Sequence, residues 1–388
     1  MQVCGIIAEY DPFHKGHLYQ LNRARELTGA DYMVCVLGGA FSQRGEAMLF
    51  HTFDRARMAL ENGFDLVVGM PFSFSCAQAN RFARGGVGIL QKMNLVSHIS
   101  FGCETDRLDW LRTAARIMNH PDAAYVRKLR EGLAAGHSFA KAQGRALMEA
   151  MPELSEEVIS SPNFILGLSY VRELERLDSP IKPVPVLRKG SYHGLGDNTF
   201  ASASAVRALL HKGDIEGALS ACPESSRPLM EQALMSGQVH RPESLDRVLI
   251  ALLLEDRRKA MRSSPEVTEG LESRIHQMAR QAATRQELTS LVKTRRYPYA
   301  RISRALSHLL VGASDFPETP EYARLLGFRK RAGPLLSLLA KAGFPMIDKP
   351  ARSGWAGIKE DMRAEELWAL GAGQRPRSAW HHQVIVLD

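Results

Sequence analysis

The chain has 388 residues, 45% of them apolar and 24% charged, with 50 lysines and arginines against 42 acidic residues for a formal charge of +8. That length predicts two domains, the composition excludes a disordered or low-complexity protein, and the basic surplus suits a polyanionic partner without requiring one. No apolar run approaches the ~20 residues of a membrane span, and the N-terminal residues run into Glu9-Tyr10-Asp11-Pro12 without a cationic leader, so a cytoplasmic protein with no membrane partner is expected.

The first third alternates between two periods. Residues 3–8 and 32–37 are short apolar runs that read as strands, 66–68 is a third, and 98–101 a fourth. Between them, helical spacing runs from His17 through Leu18, Leu21, Ala24 and Leu27 to a stop at Gly29, then over 53–60 and 77–93. Such alternation with short connections predicts βαβ units and a parallel sheet covered on both faces. Ligands of such sheets bind at the C-terminal strand ends, where Glu9-Tyr10-Asp11-Pro12, Gly38-Gly39 and Gly102 would meet. Residues 106–153 carry no strand signal and read as a helical insertion, placed at about 105–155. A helix then opens at Phe164 behind Pro162-Asn163, and 181–187 is a fifth strand whose prolines predict an edge position. Beyond Ser204 the pattern is helical except at 384–387. The predicted domains are therefore 1–210 and a mainly helical, basic 211–388. Cys4, Cys35, Cys76, Cys103 and Cys222 form no C-x-x-C pair, so no zinc site or disulfide framework is expected and they read as small buried hydrophobes.

The chemistry concentrates in Glu9-Tyr10-Asp11-Pro12-Phe13-His14-Lys15-Gly16-His17-Leu18. Pro12 stiffens the turn after the first strand. Gly16 leaves room for a phosphate to approach the backbone at a helix N-terminus, where unpaired N–H groups and the helix dipole favour an anion. His14 and His17, three apart in the opening turn, can direct both imidazoles at one oxyanion. Such donors would steady charge on an α-phosphate during in-line attack with pyrophosphate leaving and Mg²⁺ bridging the departing phosphates. A bare H-x-G-H is often a pair of surface histidines or a metal pair; here it follows an apolar strand and precedes an amphipathic helix, the context an ATP site needs.

H-x-G-H after a first strand resembles the signature of the nucleotidylyltransferase superfamily. The wider opening, Gly5-Ile6-Ile7 and Glu9 to Leu18, resembles that of the bacterial tRNA(Met) cytidine acetate ligase family. So, in the same order, do Phe41-Ser42-Gln43-Arg44-Gly45-Glu46, Phe101-Gly102-Cys103-Glu104, Pro162-Asn163-Phe164-Ile165-Leu166-Gly167 and Ala201-Ser202-Ala203-Ser204-Ala205-Val206-Arg207. Lys293-Thr294-Arg295-Arg296-Tyr297 with Arg301, and Leu325, Gly327 and Phe328, continue the match into the C-terminal half. Each piece alone is weak; the ordered set is specific.

The resemblance implies an α/β fold, a Rossmann-like parallel sheet of the nucleotidylyltransferase type with a helical insertion, followed by a mostly α-helical C-terminal domain that binds tRNA. It implies that ATP activates acetate as acetyl-adenylate, releasing pyrophosphate. The acetyl group then passes to N4 of the wobble cytidine of elongator tRNA(Met), giving N4-acetylcytidine and AMP, without acetyl-coenzyme A. By motif position the ATP site would comprise Ile7, Ala8, Glu9, Tyr10, Asp11, Pro12, Phe13, His14, Lys15, Gly16, His17, Leu18, Gly102, Asn163 and Arg188, with His14 and His17 catalytic. The family's usual opening has Asn at the positions of Asp11 and Lys15. Asp11 would put a negative charge near the triphosphate, tolerable with Mg²⁺ or Lys15 close by.

The remaining candidates divide between a specific and an ordinary reading. Ser202 and Ser204 with Arg207 form, by spacing, a helix cap with a surface arginine; the resemblance gives them the β- and γ-phosphates. Arg188 and Lys189, after the fifth strand, either hold triphosphate or are solvated. Arg44 is a substrate-side candidate in a charged loop. Arg295, Arg296, Tyr297 and Arg301, with Arg304 and Arg329-Lys330-Arg331, mix cations with aromatics as an RNA backbone and an unstacked base require. No metal site is assigned, and no DNA partner is expected. Two other functions compete: a small-molecule nucleotidylyltransferase or acetate ligase with a non-RNA acceptor, which needs no basic helical domain, and a non-catalytic RNA-binding protein, against which the intact histidines stand.

Overall fold

Strand β1 (Val3–Ala8) is buried along almost its whole length, and its residues divide by parity. Val3 and Ile7 enter one core with Val34, Val36, Leu66 and Val68, whereas Cys4 and Ile6 enter another with Met33, Cys35, Leu37 and Val67. Both sides of the sheet are thus covered, which is why its central strands read as continuous apolar runs rather than alternating ones. The computed structural model describes residues 1–188 and 201–388.

β2 (Tyr32–Leu37), β3 (Leu66–Gly69), β4 (His98–Cys103) and β5 (Lys182–Leu187) follow. With β1 they stand in the order β5-β4-β1-β2-β3, all parallel. Helices Ala79–Lys92, Leu108–Asn119 and Pro162–Arg176 supply the first core, and helices Lys15–Thr28 and Thr52–Glu61 the second. Between β4 and helix Pro162–Arg176 lie four helices, Leu108–Asn119 to Glu156–Ser160, in the place predicted for the insertion. β5, with Pro183 and Pro185, pairs only with β4 among the described residues, as two missing N–H donors require.

The C-terminal half departs from its sequence reading. The stretch 211–311 is helical, but the chain then returns to the sheet as β6 (Ala323–Arg329), antiparallel to β3. β7 (Met346–Ile347) and β8 (Ile385–Leu387) both pair parallel with β6. Only β8 was foreseen. Nor does a change of core mark residue 210: the core of the helical region, centred on Leu271, Leu306 and Trp368, takes in Phe41, Phe72 and Cys76 from the first half. Trp368 Nε1 donates to the Met48 carbonyl at 2.6 Å, and the His308 ring meets the Cys76 carbonyl at 2.7 Å. The predicted division at 210 therefore separates two sequence patterns that share one sheet and, through Phe41, Phe72 and Cys76, the core of the helical region. All five cysteines are buried and free, and among the described residues no helix is long and apolar enough to cross a membrane.

Candidate active site

Helix Lys15–Thr28 begins two residues before its predicted start, with His14 as its N-cap. His14 Nδ1 accepts the Gly16 N–H at 3.0 Å, and His17 Nδ1 accepts the His14 N–H at 3.3 Å. This is a capping box in which imidazoles replace the usual hydroxyl and carboxylate. Because both Nδ1 atoms accept, the neutral rings carry their protons on Nε2. The rings stack 3.6 Å apart and 28° from parallel, so the two Nε2–H donors are presented as a pair. Gly16 has a more local reason than phosphate access: a Cβ there would lie 2.8 Å from His14 Cε1. Tyr10, with φ of 51°, packs its ring 4.7 Å from His17.

Burial, reinforced by Arg188 and Arg207, lowers the His14 pKa to about 3. Burial, His14 and Arg188 hold His17 well below its ordinary value. Both rings are therefore neutral donors at physiological pH, and the positive charge of the site resides on the arginines.

These donors open into a cavity of about 470 Å³. Its wall includes Ile7, Ala8, Glu9, Tyr10, Asp11, His14, Gly16 and His17, then Arg44, Gly102, Asn163, Arg188, Ser202, Ser204 and Arg207. Among the described residues predicted for the ATP site, Pro12, Phe13, Lys15 and Leu18 do not line it. Phe13 is fully buried in the core, and Lys15 anchors through its backbone N–H to the Ala221 carbonyl at 3.0 Å. Lys189 lies outside the described residues.

Asp11 lines the cavity, but its carboxylate is committed elsewhere. Oδ2 accepts the Leu49 N–H and Oδ1 the Phe50 N–H, each at 2.9 Å, while Arg207 donates to the Asp11 carbonyl at 2.6 Å. The charge expected to trouble the triphosphate instead pins the loop leading into the second helix. Ser202, rather than Ser204, caps helix Ala203–His211, accepting the Ala205 N–H at 3.3 Å; the two hydroxyls lie 3.0 Å apart.

At the other wall, Gly102 and Arg188 stand together because β4 and β5 end together, with Arg188 N–H donating to the Cys103 carbonyl at 3.0 Å. Glu104 aligns their neighbour. Its Oε1 accepts from Asn163 Nδ2 at 2.7 Å and its Oε2 from the Phe164 N–H at 2.9 Å, and Arg188 approaches Oε1 at 4.0 Å. Glu104 lies in one of the stretches that carry the family resemblance, yet no role was foreseen for it. Nor was one for Arg55, fully buried, whose guanidinium donates to the carbonyls of Glu9, Gly38, Gly39 and Phe50. Nothing in a lone helical arginine signals such a clamp on two strand ends.

The basic C-terminal candidates are not one patch. Tyr297 is buried with its hydroxyl on the Glu269 carbonyl. Arg301 is held by the Glu266 carbonyl at 2.9 Å and the Glu269 carboxylate at 3.3 Å. Arg304 pairs with Glu266 at 2.8 Å, Arg331 with Asp65 at 2.6 Å, and Arg329 donates to the Leu60 carbonyl at 3.0 Å. These side chains fasten the fold. Arg295 and Arg296 are exposed.

A family model described as HIGH nucleotidyl transferase matches residues 1–381. A tRNA(Met) cytidine acetate ligase of Clostridium perfringens is 33% identical over 390 residues, covering 95% of each chain. One of a Thermoanaerobacter species is 33% identical over 386 residues, again 95% of each. The chain belongs to the tRNA(Met) cytidine acetate ligase family. Among solved structures, Thermotoga maritima TmcAL bound with alpha-thio ATP aligns over 100% of both chains at 29% identity and a TM-score of 0.89. Its apo form I gives 28% and 0.91. The expected α/β fold is thus that of the tRNA(Met) cytidine acetate ligase family, and the paired histidines occupy the H-x-G-H turn for which the broader nucleotidyl transferase class is named.

Proposed function

We propose that this chain is an ATP-dependent ligase that activates acetate as acetyl-adenylate and acetylates N4 of the wobble cytidine of elongator tRNA(Met). The observation that carries this reading is the pair of neutral Nε2–H donors at a helix N-terminus, inside a cavity whose cations, among the described residues, are Arg44, Arg188 and Arg207. An acetate oxygen attacks the α-phosphorus in line, and charge grows on the non-bridging oxygens. Two fixed donors in a partly dehydrated pocket stabilise that charge without reorganising, an effect of about 3–4 kcal/mol for one such donor. Ser202 and Ser204 at the start of helix Ala203–His211, with Arg188, suit the β- and γ-phosphates as pyrophosphate departs.

Among the described residues no group of three or more histidines, cysteines or carboxylates gathers as a metal cage. In this reading Mg²⁺ would come with the ATP and supply charge neutralisation at its phosphates. Arg44, on a cavity-lining loop, faces the acceptor side in this reading, and the exposed Arg295 and Arg296 contact the RNA backbone.

Purified protein given ATP, isotopically labelled acetate and a tRNA(Met) transcript tests the assignment by digestion and mass spectrometry. Labelled N4-acetylcytidine that requires ATP supports it. Acetylation from acetyl-coenzyme A without ATP, or none of the wobble cytidine, overturns it.

A further inference from the structure

Among the described residues three carboxylates line the cavity: Glu9, Asp11 and Glu46. Asp11 has both oxygens on backbone N–H groups. Glu46 is exposed. Glu9 differs from both. It sits at the C-terminal end of β1, five positions before His14, and its Oε1 accepts the Gln43 N–H at 2.6 Å. Its backbone carbonyl is clamped by Arg55 at 2.6 Å, so the residue is fixed from both sides.

A carboxylate on the wall of a site for polyanionic ATP works against the triphosphate unless it has another task. The step that needs such a group is the second one. The exocyclic N4 of cytidine is a poor nucleophile because its lone pair is delocalised into the ring, and it must lose a proton as it attacks. The position of Glu9 also fits the entry of a base. The loop holding its side chain is bolted to the helical half: Arg304 donates to the Gln43 carbonyl at 3.2 Å, and Ser303 and Ser307 hydroxyls donate to the Gly45 carbonyl at 3.0 and 2.7 Å. Glu9 therefore stands where the nucleotide half meets the half that the proposed function assigns to RNA.

We infer that Glu9 is the general base for acetyl transfer, taking the proton from the acceptor amine. The N4 lone pair forms the N–C bond to the acetyl carbonyl. The bond from that carbon to the phosphate oxygen of acetyl-adenylate breaks, AMP leaves with its electron pair, and the N4 proton passes to the Glu9 carboxylate. Burial, which raises the pKa of Glu9 above that of an exposed carboxyl despite Gln43, Arg207 and Arg55, makes it a better proton acceptor.

This inference rests on the proposed acetyl-adenylate reaction, and its test separates the two half-reactions. Glu9→Gln keeps the shape and the acceptor oxygen for Gln43 but cannot take a proton. Transfer to a tRNA(Met) transcript should fall by at least about 100-fold, the usual worth of a general base, and by at least about tenfold more than acetate-dependent ATP–pyrophosphate exchange. Equal loss of exchange and transfer would place Glu9 in ATP binding, and retention of both would leave it without a chemical role; either result overturns the inference. Should Glu9→Gln fail to fold in a thermal melt, Glu9→Asp carries the same comparison: transfer reduced more than exchange supports the inference, and proportional reduction overturns it. A wild-type enzyme that exchanges but never acetylates tRNA would count against the acceptor assigned above rather than against Glu9.

Discussion

Replacing Asp11 by Asn restores the residue usual in the family opening, and substitutions of that kind commonly stabilise. The geometry here predicts the opposite. Each carboxylate oxygen accepts one backbone N–H at 2.9 Å, from Leu49 and Phe50, and the residue is 4% exposed. Asn keeps one acceptor and turns its NH₂ group against the other N–H, leaving two donors face to face in a buried turn. Loss of one charge-assisted hydrogen bond costs about 1.5–3 kcal/mol. At about 2–4 °C per kcal/mol, the figure for domains somewhat smaller than this chain, the melting temperature should fall by roughly 3–12 °C. The Michaelis constant for ATP in acetate-dependent exchange should hold or rise, since the loop carrying the histidines loosens. Differential scanning fluorimetry and exchange kinetics on Asp11→Asn check both expectations. An unchanged melting temperature with tighter ATP binding would refute the reasoning, because it would mean that the Asp11 charge faces the triphosphate.

Three further outcomes follow from the same geometry. Gly45 has φ of +83°, and a Cβ there would lie 2.4 Å from the Arg304 backbone nitrogen; Gly45→Ala should destabilise by about 2–4 kcal/mol and reduce acetyl transfer more than exchange, as melts and the two assays will register. Burial holds His14 near a pKa of about 3 and His240 and His308 near about 4, so below their ordinary 6.5 the unfolded chain binds more protons than the fold. Stability should therefore fall as pH drops from 6.5 towards 4, by about 3 kcal/mol for each of His240 and His308 at pH 4; a melting temperature flat over that range contradicts it. Changing Arg295 and Arg296 together to Ala should weaken tRNA binding and shallow its salt dependence by about two phosphate contacts, leaving exchange intact, as filter binding at several salt concentrations will measure.

The parts of the molecule legible from the sequence are those decided by local chemistry. β1 to β3 announce themselves because burial on both faces demands unbroken apolar runs, and helix Lys15–Thr28 stops where predicted because Gly29 adopts φ of 59°. The resemblance supplied the ordered stretches that meet at the cavity, including Gly102, Asn163 and Arg188. β6 was hidden for a physical reason. Its sequence, ARLLGFR, carries arginines whose partners are far away: Arg324 is buried against Glu365 at 3.3 Å, and Arg329 is held by the Leu60 carbonyl. The same blindness to distant partners hides how Asp11 is held: its oxygens accept the backbone N–H groups of residues 49 and 50, with Arg207 3.8 Å away. It also made Tyr297 and Arg301 look available to RNA, although Glu266 and Glu269 hold them. Charge pattern names the side chain; only the fold says whether the charge is spent.

The central claim is that the paired imidazoles make an adenylate of acetate before any RNA is involved. Exchange of labelled pyrophosphate into ATP, measured without tRNA in the presence and absence of acetate, tests it most directly. Exchange should require acetate, and should fall by a factor of about 100 or more in His17→Ala, which lacks one of the two donors. Exchange that proceeds equally without a carboxylate, or that survives removal of His17, would contradict it.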